Sequence, residues 1–274
     1  MMFLVQGYPA YAYTGGRPYD ASLPAIVFIH GAALDHSVWQ WQSRFLAHHG
    51  YGVLAVDLPG HGRSPGIARD SIEAMADWTA LFIEAAGHER AHIVGQSMGS
   101  LVALDVALRH RGRVDRLALV ATAIPMTVND AFLAAARDDS PAAFEMETAW
   151  GHARQSLLSQ SPVPGISLAG ASRQLNGRAL TGVQHADLRA CNAYQPAAER
   201  IRALDIPALV IGGARDQMTG PRAGEALARQ IPGAKFLLLD AGHSVMSEAP
   251  RPTLEALARF LAEPVTLNRG AHTG

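Results

Sequence analysis

Hydrophobic residues in this chain fall into short, nearly continuous runs that alternate with longer stretches in which apolar residues recur every three or four positions. The short runs predict buried strands, since a parallel sheet covered on both faces leaves few polar positions: 25–30, 52–57, 91–95, 117–121, 208–212 and 235–239. The longer stretches predict helices over 37–49, 71–86, 98–109, 222–230 and 253–261. This alternation indicates an α/β fold, with a mostly parallel sheet and helices on both faces.

The alternation stops over residues 126–199, which contain no strand-like run. Helical patches cover 131–136 and 142–154, and residues 159–167 are typical of a loop because they contain two prolines and a glycine. A structureless connection of this length is uncommon in a compact domain, so we expect helices that cover the carboxyl ends of the strands. The predicted organisation is a first part of the core at 1–125, a helical cap insertion at 126–199 and a second part of the core at 200–274.

The composition excludes several classes of protein. Of the 274 residues, 49% are hydrophobic and 17% are charged, which is too apolar for a disordered chain and enough for a sizeable core. The formal net charge is −1 and no run of like charges forms a basic stripe, so we expect a small-molecule substrate and no nucleic-acid partner. No apolar stretch reaches about 18 residues, so we expect no membrane partner.

The number of cysteines and the N-terminal segment indicate the cellular compartment in which we expect the protein. Cys191 is the only cysteine, which excludes an intrachain disulfide and a cysteine-based metal cluster. Residues 1–13 lack the basic flank and the long apolar run of a secretory signal. We therefore expect a cytoplasmic protein, and the sequence leaves monomer and homodimer both open.

The strongest candidate for chemistry is the segment GQSMG at 95–99, directly after a predicted strand and directly before a predicted helix. A serine at the apex of such a turn has a strained backbone and an exposed hydroxyl, and small residues two positions before and after it let the chains pass. The first amides of the following helix also favour negative charge near Ser97. Ser97 is therefore the predicted nucleophile, and the alternative is a helix-capping serine in a tight turn.

A serine nucleophile needs a base, which a third group orients. Asp216 follows the predicted strand at 208–212, and His243 follows the one at 235–239. The carboxyl ends of parallel strands lie along one edge of the sheet, so these residues can meet Ser97 although they are far apart in the chain. The order Ser, Asp, His is also the order that accompanies this turn motif. We predict His243 as the base and Asp216 as the acid.

Backbone amides complete the predicted site. The strand at 25–30 ends in a small-residue turn, HGAA at 30–33, that can approach a bound oxygen closely. The amides of Ala32 and Met98 would form a two-donor oxyanion hole for a tetrahedral intermediate. His30 precedes this turn and His61 lies in the turn PGHG, so both are interpreted as residues that brace loops.

Metal and dinucleotide chemistry lack their sequence signatures. The 12 histidines include no HExxH or HxHxDH spacing, so we predict no catalytic metal. A GxGxxG fingerprint around the turn would require glycine at position 97, which is serine, so we predict no nicotinamide cofactor.

Together, five segments resemble the α/β-hydrolase superfamily in its serine-nucleophile, esterase- and lactonase-like branch. They are HGAALDHSVW at 30–39, DLPGHGRS at 57–64, GQSMG at 95–99, GARDQM at 213–218 and AGHSV at 241–245. The resemblance covers about residues 25–261 and implies an eight-stranded, mostly parallel sheet, a helical lid before the acid-bearing strand and no cofactor. Some members place the acid one strand earlier, so Asp130 is an alternative to Asp216, and Asp57 is another because it also ends a strand.

The predicted function is hydrolysis of a carboxylic ester or lactone of a small, largely apolar substrate through an acyl-enzyme. Serine at 97, where similar dehalogenases and epoxide hydrolases carry aspartate, argues against alkyl-enzyme chemistry. Thioesterase, aminopeptidase, perhydrolase and C–C bond hydrolase activities use the same three residues and stay open, and the alternative outside enzymes is a non-catalytic ligand-binding protein. Candidate substrate-binding residues are Ala33, Phe144, Trp150 and Tyr194.

Overall fold

The computed structural model describes residues 1–158 and 160–263. The strands are β1 Met2–Val5, β2 Tyr8–Tyr13, β3 Ala25–Ile29, β4 Gly52–Val56, β5 Ala91–Gln96, β6 Val114–Val120, β7 Ala208–Gly213 and β8 Lys235–Leu239. They form one 8-stranded sheet in the order β1-β2-β4-β3-β5-β6-β7-β8. Strands β3 to β8 run parallel, whereas β1 and β2 pair antiparallel at one edge. The predicted mostly parallel sheet is confirmed.

Helices flank the sheet and fill the connection between β6 and β7. They are α1 Gln40–Ala47, α2 Ile72–Ala85, α3 Met98–Arg109, α4 Asp130–Arg137, α5 Pro141–Gly151, α6 Arg154–Leu157, α7 Leu168–Asn176, α8 Val183–Ala193, α9 Ala198–Arg202, α10 Pro221–Gln230, α11 Val245–Glu248 and α12 Pro250–Ala262. We call α4 to α9 the inserted helices. In the part of the chain that the structure describes, no helix is both long and apolar enough to cross a membrane.

Alternation along β3 places its residues in two separate cores. Val27 and Ile29 pack on the face of the sheet covered by α2 and α3, whereas Ile26 and Phe28 pack on the face covered by α1 and α12. All five residues of the strand are buried. Burial on both faces is the physical reason why this strand is continuously apolar in sequence.

The hydrophobic pattern does not predict the hairpin of β1 and β2. Its turn is formed by Gln6 and Gly7 with φ of 51° and 83°, the left-handed conformation typical of two-residue hairpin turns. β1 buries Phe3 but leaves Leu4 68% exposed, so its short run resembles neither a core strand nor a helix. Pro9 argues against a strand, yet it is tolerated because this part of β2 pairs with β1 alone.

The inserted helices occupy the segment in which the strand pattern stops. The N-termini of helices α4, α5 and α7 are capped by Asn129, Ser140 and Ser167, whose side chains each accept a hydrogen bond from an amide of the first turn. Phe132 and Leu188 join the core formed with α3, so these helices pack against the sheet region. The exact limits of the cap at 126–199 stay our interpretation.

Candidate active site

Ser97 lies between β5 and α3 with φ 53° and ψ −121°, a backbone conformation that is strained for a residue other than glycine. The two glycines of the motif permit this turn. A Cβ on Gly95 would lie 2.0 Å from Gly99 O, and a Cβ on Gly99 would lie 2.4 Å from Ile29 O. Both positions therefore exclude a side chain, which is the physical basis of the motif.

Hydrogen bonds hold the strained turn in place. The Ser97 N–H donates to Val120 O in β6 over 2.9 Å, and the Ser100 hydroxyl donates to Ser97 O over 2.5 Å. Neither contact engages the hydroxyl of Ser97, and this residue lines a cavity at the carboxyl edge of the sheet.

Asp216 and His243 form a buried hydrogen-bonded pair. His243 Nδ1–H donates to Asp216 Oδ2 over 2.9 Å. Asp216 Oδ1 accepts from the N–H groups of Met218 and Thr219 over 2.8 and 2.9 Å, and Oδ2 also accepts from the Thr219 hydroxyl over 2.7 Å. These bonds orient the carboxylate toward the imidazole. The structure thus brings the predicted acid and base into contact.

Burial and pairing act in opposite directions on the pKa values of this pair. Burial by itself would raise the pKa of Asp216, but the adjacent His243 and the hydrogen bonds from His243 and Thr219 lower this pKa to about 2. Burial by itself would lower the pKa of His243, but the Asp216 carboxylate outweighs burial and raises this pKa above its ordinary value of 6.5. Asp216 is therefore ionised at neutral pH and keeps a proton on His243 Nδ1.

The second ring nitrogen of His243 is the one available for proton transfer. His243 Nε2 is buried and has no hydrogen-bond partner among the described residues. Ser97 and His243 line the same cavity. Because Nδ1 carries the proton, Nε2 carries the lone pair that a general base requires.

The turn after β3 lies beside Ser97. A Cβ on Gly31 would lie 3.3 Å from Ser97 Cβ, and Ala32 lines the same cavity as Ser97. Met98 is the first residue of α3, where an N–H has no partner within the helix. Neither the Ala32 nor the Met98 amide donates to another described backbone oxygen. The position of both amides beside Ser97 is compatible with an oxyanion hole, and their role as its two donors stays a prediction.

The alternative acids have other surroundings. Asp57 is buried, and its oxygens accept from the N–H and Nδ1–H of His36 and from the N–H of Arg63 over 2.7, 2.8 and 2.8 Å. Asp130 is exposed in the first turn of α4. Of the three candidates, Asp216 is the one bonded to His243.

A cavity of about 550 Å³ lies between the sheet edge and the inserted helices. Of the predicted substrate-binding residues, Trp150 lines this cavity. The inserted helices and their loops contribute both apolar and polar side chains to the wall. The larger apolar ones are Phe132, Val163, Ile166, Leu168, Leu175 and Leu188, and the polar ones include Asn129, His152, Gln174, Asn176 and Arg178.

The structure places the other three predicted substrate-binding residues away from the cavity wall. Ala33 is buried. Tyr194 is buried with its hydroxyl donating to Asp105 Oδ1 over 3.0 Å, and Phe144 is half-buried on α5 outside the lining set. Of the three predicted aromatic residues, Tyr194 belongs to the core and Trp150 lies on the cavity wall.

Sequence reasoning missed Glu147, a carboxyl group on the cavity wall. It accepts a hydrogen bond from Gln184 Nε2 over 2.5 Å, and burial raises its pKa to about 7. Glu147 falls four residues after buried Ala143 and three before Trp150, on one face of α5. An acidic residue at helical spacing between apolar ones was the signal for a carboxyl group inside the cavity.

One cluster has the residue types of a metal site. Potential ligand atoms of Asp35, His36 and Asp57 lie within 4.8 Å of one another. Asp57 Oδ1 already accepts two hydrogen bonds from His36, and the Asp35 carboxylate caps the 3-10 turn His36–Trp39 by accepting from Ser37 N–H. Hydrogen bonding within the loop thus accounts for the cluster.

Comparisons with known proteins agree with this architecture. A sequence model of the alpha/beta hydrolase fold family matches residues 24–250. The chain is 27% identical over 247 residues to 3-oxoadipate enol-lactonase 1 of Acinetobacter baylyi, with 87% of this chain and 88% of the relative covered. It is 32% identical over 250 residues to a pimeloyl-[acyl-carrier protein] methyl ester esterase of Chromobacterium violaceum, with 87% of this chain and 94% of the relative covered.

The fold is also similar to a solved structure, an enol-lactonase from Burkholderia xenovorans LB400. The TM-score is 0.85 at 24% identity, and the match covers 96% of this chain and 100% of the other. At this identity the likeness bears on the fold alone.

Proposed function

Because the chain belongs to the α/β-hydrolase fold family and is a carboxylic ester hydrolase, we propose that it cleaves an ester or lactone through an acyl-enzyme on Ser97. The observation that carries this proposal is the orientation of His243. Its Nδ1–H donates to Asp216, while its unpartnered Nε2 and Ser97 belong to one cavity. A serine hydroxyl becomes a strong nucleophile when such a base removes its proton.

In the first half-reaction, Ser97 Oγ attacks the carbonyl carbon while His243 Nε2 accepts the hydroxyl proton. The Asp216 carboxylate stabilises the imidazolium that forms. The negative charge on the former carbonyl oxygen is stabilised by the N–H groups of Ala32 and Met98, and each such donor lowers the barrier by about 3 kcal/mol. His243 then returns the proton to the leaving alcohol, which departs as the acyl-enzyme forms.

In the second half-reaction, His243 Nε2 removes a proton from water, and the hydroxyl attacks the acyl carbon. The same two amides stabilise the second oxyanion. Protonation of Ser97 Oγ by His243 releases the carboxylic acid and restores the free enzyme.

The cavity indicates the substrate class. Its volume of about 550 Å³ lies within the range of roughly 300–1,000 Å³ typical of small-molecule sites. The apolar side chains on its wall favour an apolar acyl or alkyl group. Glu147, once ionised, repels a carboxylate. The cation on the same wall, Arg178, has an exposed side chain that lies 3.8 Å from the Asp35 carboxylate, so its attraction for an anion is weakened. We therefore propose an uncharged ester or lactone under inserted helices that act as a cap.

A comparison of neutral and anionic substrates tests this class. Hydrolysis of p-nitrophenyl butyrate and of a neutral γ-lactone should exceed that of a mono-p-nitrophenyl dicarboxylate of matched chain length. Thioesters, amides and peracid formation belong in the same panel, since the proposed triad supports each of them. Preference for the anionic ester would contradict the proposed substrate class while leaving the nucleophile untouched.

The nucleophile is tested by Ser97→Ala. We expect the turnover of p-nitrophenyl butyrate to fall at least about ten-thousandfold and labelling by a fluorophosphonate probe to be lost, with circular dichroism unchanged. Ser22→Ala is the matched control, because the Ser22 hydroxyl bonds to Asp20 on the exposed surface. Labelling of the Ser97→Ala variant at the wild-type level would exclude Ser97.

A further inference from the structure

Asp187 is a fully buried carboxylate on the inserted helix α8 whose partners belong to the sheet region. Its Oδ2 atom accepts a hydrogen bond from the N–H of Ala33 over 2.8 Å. The same atom accepts from His61 Nε2–H over 2.8 Å. Asp187 Oδ1 is buried and has no hydrogen-bond partner among the described residues, so the two bonds to Oδ2 are the ones that compensate the burial of this carboxylate and that hold it against the core.

His61 makes this contact an ion pair. Its Nδ1 lies 3.1 Å from Pro59 O, and its Nε2 lies 2.8 Å from Asp187 Oδ2. Both partners are acceptors, and a neutral imidazole can donate to only one of them. The Asp187 carboxylate outweighs burial and raises the pKa of His61 above its ordinary value of 6.5, which favours the doubly protonated ring that can donate to both acceptors. The PGHG turn is thereby tied to α8.

The neighbouring His30 ring holds the other side of the same turn. His30 Nδ1–H donates to Gly31 O over 2.7 Å, and His30 Nε2 accepts from the N–H of Leu58 over 3.2 Å. These partners require a neutral ring, and burial, together with the nearby His61, lowers the pKa of His30 to about 4. The rings of His30 and His61 are 4.8 Å apart.

These contacts fix the direction of the Ala32 amide. The Ala32 N–H and Gly31 O belong to one trans peptide, so they point in opposite directions. Gly31 O is held by His30 Nδ1 over 2.7 Å and by Leu34 N–H over 3.3 Å. The next amide, that of Ala33, is held by Asp187. Ala33 has φ of 56°, a left-handed conformation that costs alanine free energy and that the Asp187 bond helps to maintain.

We propose that Asp187 is a positioning residue that couples the seating of α8 to the geometry of the oxyanion hole. The carboxylate touches neither the substrate nor the reacting atoms; it acts through the peptide that follows Ala32. The catalytic strength of the site then depends on α8 being docked, and α8 also supplies Leu188 to the cavity wall. This inference rests on the proposed function, since it assumes that Ala32 N–H stabilises an oxyanion.

The test separates binding of the ground state from stabilisation of the oxyanion. Asp187→Leu removes the acceptor at similar volume, and Asp187→Asn retains an oxygen there without the charge. With p-nitrophenyl butyrate, we expect Asp187→Leu to lower kcat by about 10- to 100-fold with KM changed less than about threefold. Inhibition by trifluoromethyl hexyl ketone, which forms a tetrahedral adduct on the serine, should weaken by the same factor as kcat/KM. Asp187→Asn should recover a large part of both losses.

Asp105 provides the matched control. It is a second buried carboxylate that joins α8 to the core, because it accepts from the Tyr194 hydroxyl at the end of that helix over 3.0 Å. Asp105→Leu and Asp105→Asn should lower the melting temperature but leave the inhibition constant of the ketone unchanged. The concentration of active sites in each variant is counted by labelling with a fluorophosphonate. If Asp187→Leu does not fold, Asp187→Asn provides the test. Its smaller loss of kcat/KM must still be matched by a loss of ketone affinity of the same factor.

Two outcomes would overturn the inference. One is an unchanged ketone inhibition constant in the folded Asp187 variants, and the other is an equal change in the Asp105 variants. Failure of the proposed function would look different, because Ser97→Ala would then retain activity or labelling. An inactive Ser97→Ala variant together with Asp187 variants of wild-type ketone affinity would reject only the positioning role.

Discussion

Two histidine–aspartate pairs in this protein have nearly the same local geometry and different surroundings. In the first, His243 Nδ1 lies 2.9 Å from Asp216 Oδ2, and in the second, His61 Nε2 lies 2.8 Å from Asp187 Oδ2. All four side chains are buried. In both pairs the carboxylate outweighs burial and raises the pKa of the histidine.

The difference lies in the remaining ring nitrogen. His61 Nδ1 faces Pro59 O at 3.1 Å, whereas His243 Nε2 has no partner among residues 1–158 and 160–263. A fully bonded imidazolium cannot take up a proton, while an imidazole with one vacant nitrogen can. The same pair of residue types therefore gives a structural ion pair in one place and a candidate base in the other. The vacant nitrogen, and not the aspartate, distinguishes them.

Replacing His243 should have the largest effect. In His243→Gln, no group remains to accept the Ser97 proton, so we expect kcat to fall about a millionfold. The melting temperature should change little. Steady-state kinetics with p-nitrophenyl butyrate measures the loss, and a decrease below about a hundredfold would mean that another group supplies the base.

Replacing Asp216 should have the next largest effect. Asp216→Asn keeps the shape but no longer favours the tautomer with its proton on Nδ1 and no longer stabilises the imidazolium. We expect kcat to fall about ten-thousandfold. A matched Asp57→Asn variant, whose carboxylate bonds to His36, should keep far more activity. Equal losses in the two variants would return Asp57 to the list of candidate acids.

Replacing His61 should affect stability more than chemistry. In His61→Ala, the buried Asp187 loses its cationic partner, so unfolding should require about 3 kcal/mol less free energy. Because the folded-state pKa of His61 is raised, its contribution is complete below pH 6.5 and declines as pH rises through that pKa. Urea unfolding at pH 6 and pH 8 should therefore show a larger gap between variant and wild type at pH 6. A gap that widens at pH 8 would show that His61 is neutral in the fold.

The smallest predicted effect concerns the pH profile. Activity requires neutral His243, so kcat/KM should rise with pH through a pKa above 6.5. Glu147 contributes to raising that pKa. Glu147→Gln should therefore lower the pKa of His243 and move the acid limb of the profile to lower pH. A limb that stays in place or moves to higher pH would show that Glu147 carries no charge that acts on His243.

The strands and the loops that carry the candidate site could be predicted from the sequence for the same reason. Five of the six strands predicted from apolar runs are buried, whereas β8, also predicted as buried, is the last strand at the edge of the sheet and leaves Leu238 47% exposed. Ser97, Asp216 and His243 each follow one of these six strands, so a parallel sheet directs all three to one edge. The hairpin of β1 and β2 could not be predicted from the sequence, because its strands are half-buried and contain Pro9, which weakens the hydrophobic pattern of a strand. Of the four predicted substrate-binding residues, Trp150 lines the cavity, whereas Ala33, Phe144 and Tyr194 do not.

By itself, the sequence determined the six parallel strands, the turn at Ser97 and the residue types at the strand ends, because each of these is visible in a short segment of the chain. Tertiary structure decided that His243 keeps an unpartnered ring nitrogen and lines the same cavity as Ser97, that a carboxyl group at 147 faces this cavity, and that Asp187 meets Ala33 across 154 positions of sequence. These features arise from packing between distant segments. The periodicity of a helix or strand determines on which face of that element a residue lies. It does not determine which other segment packs against that face, so these contacts cannot be predicted from the sequence pattern.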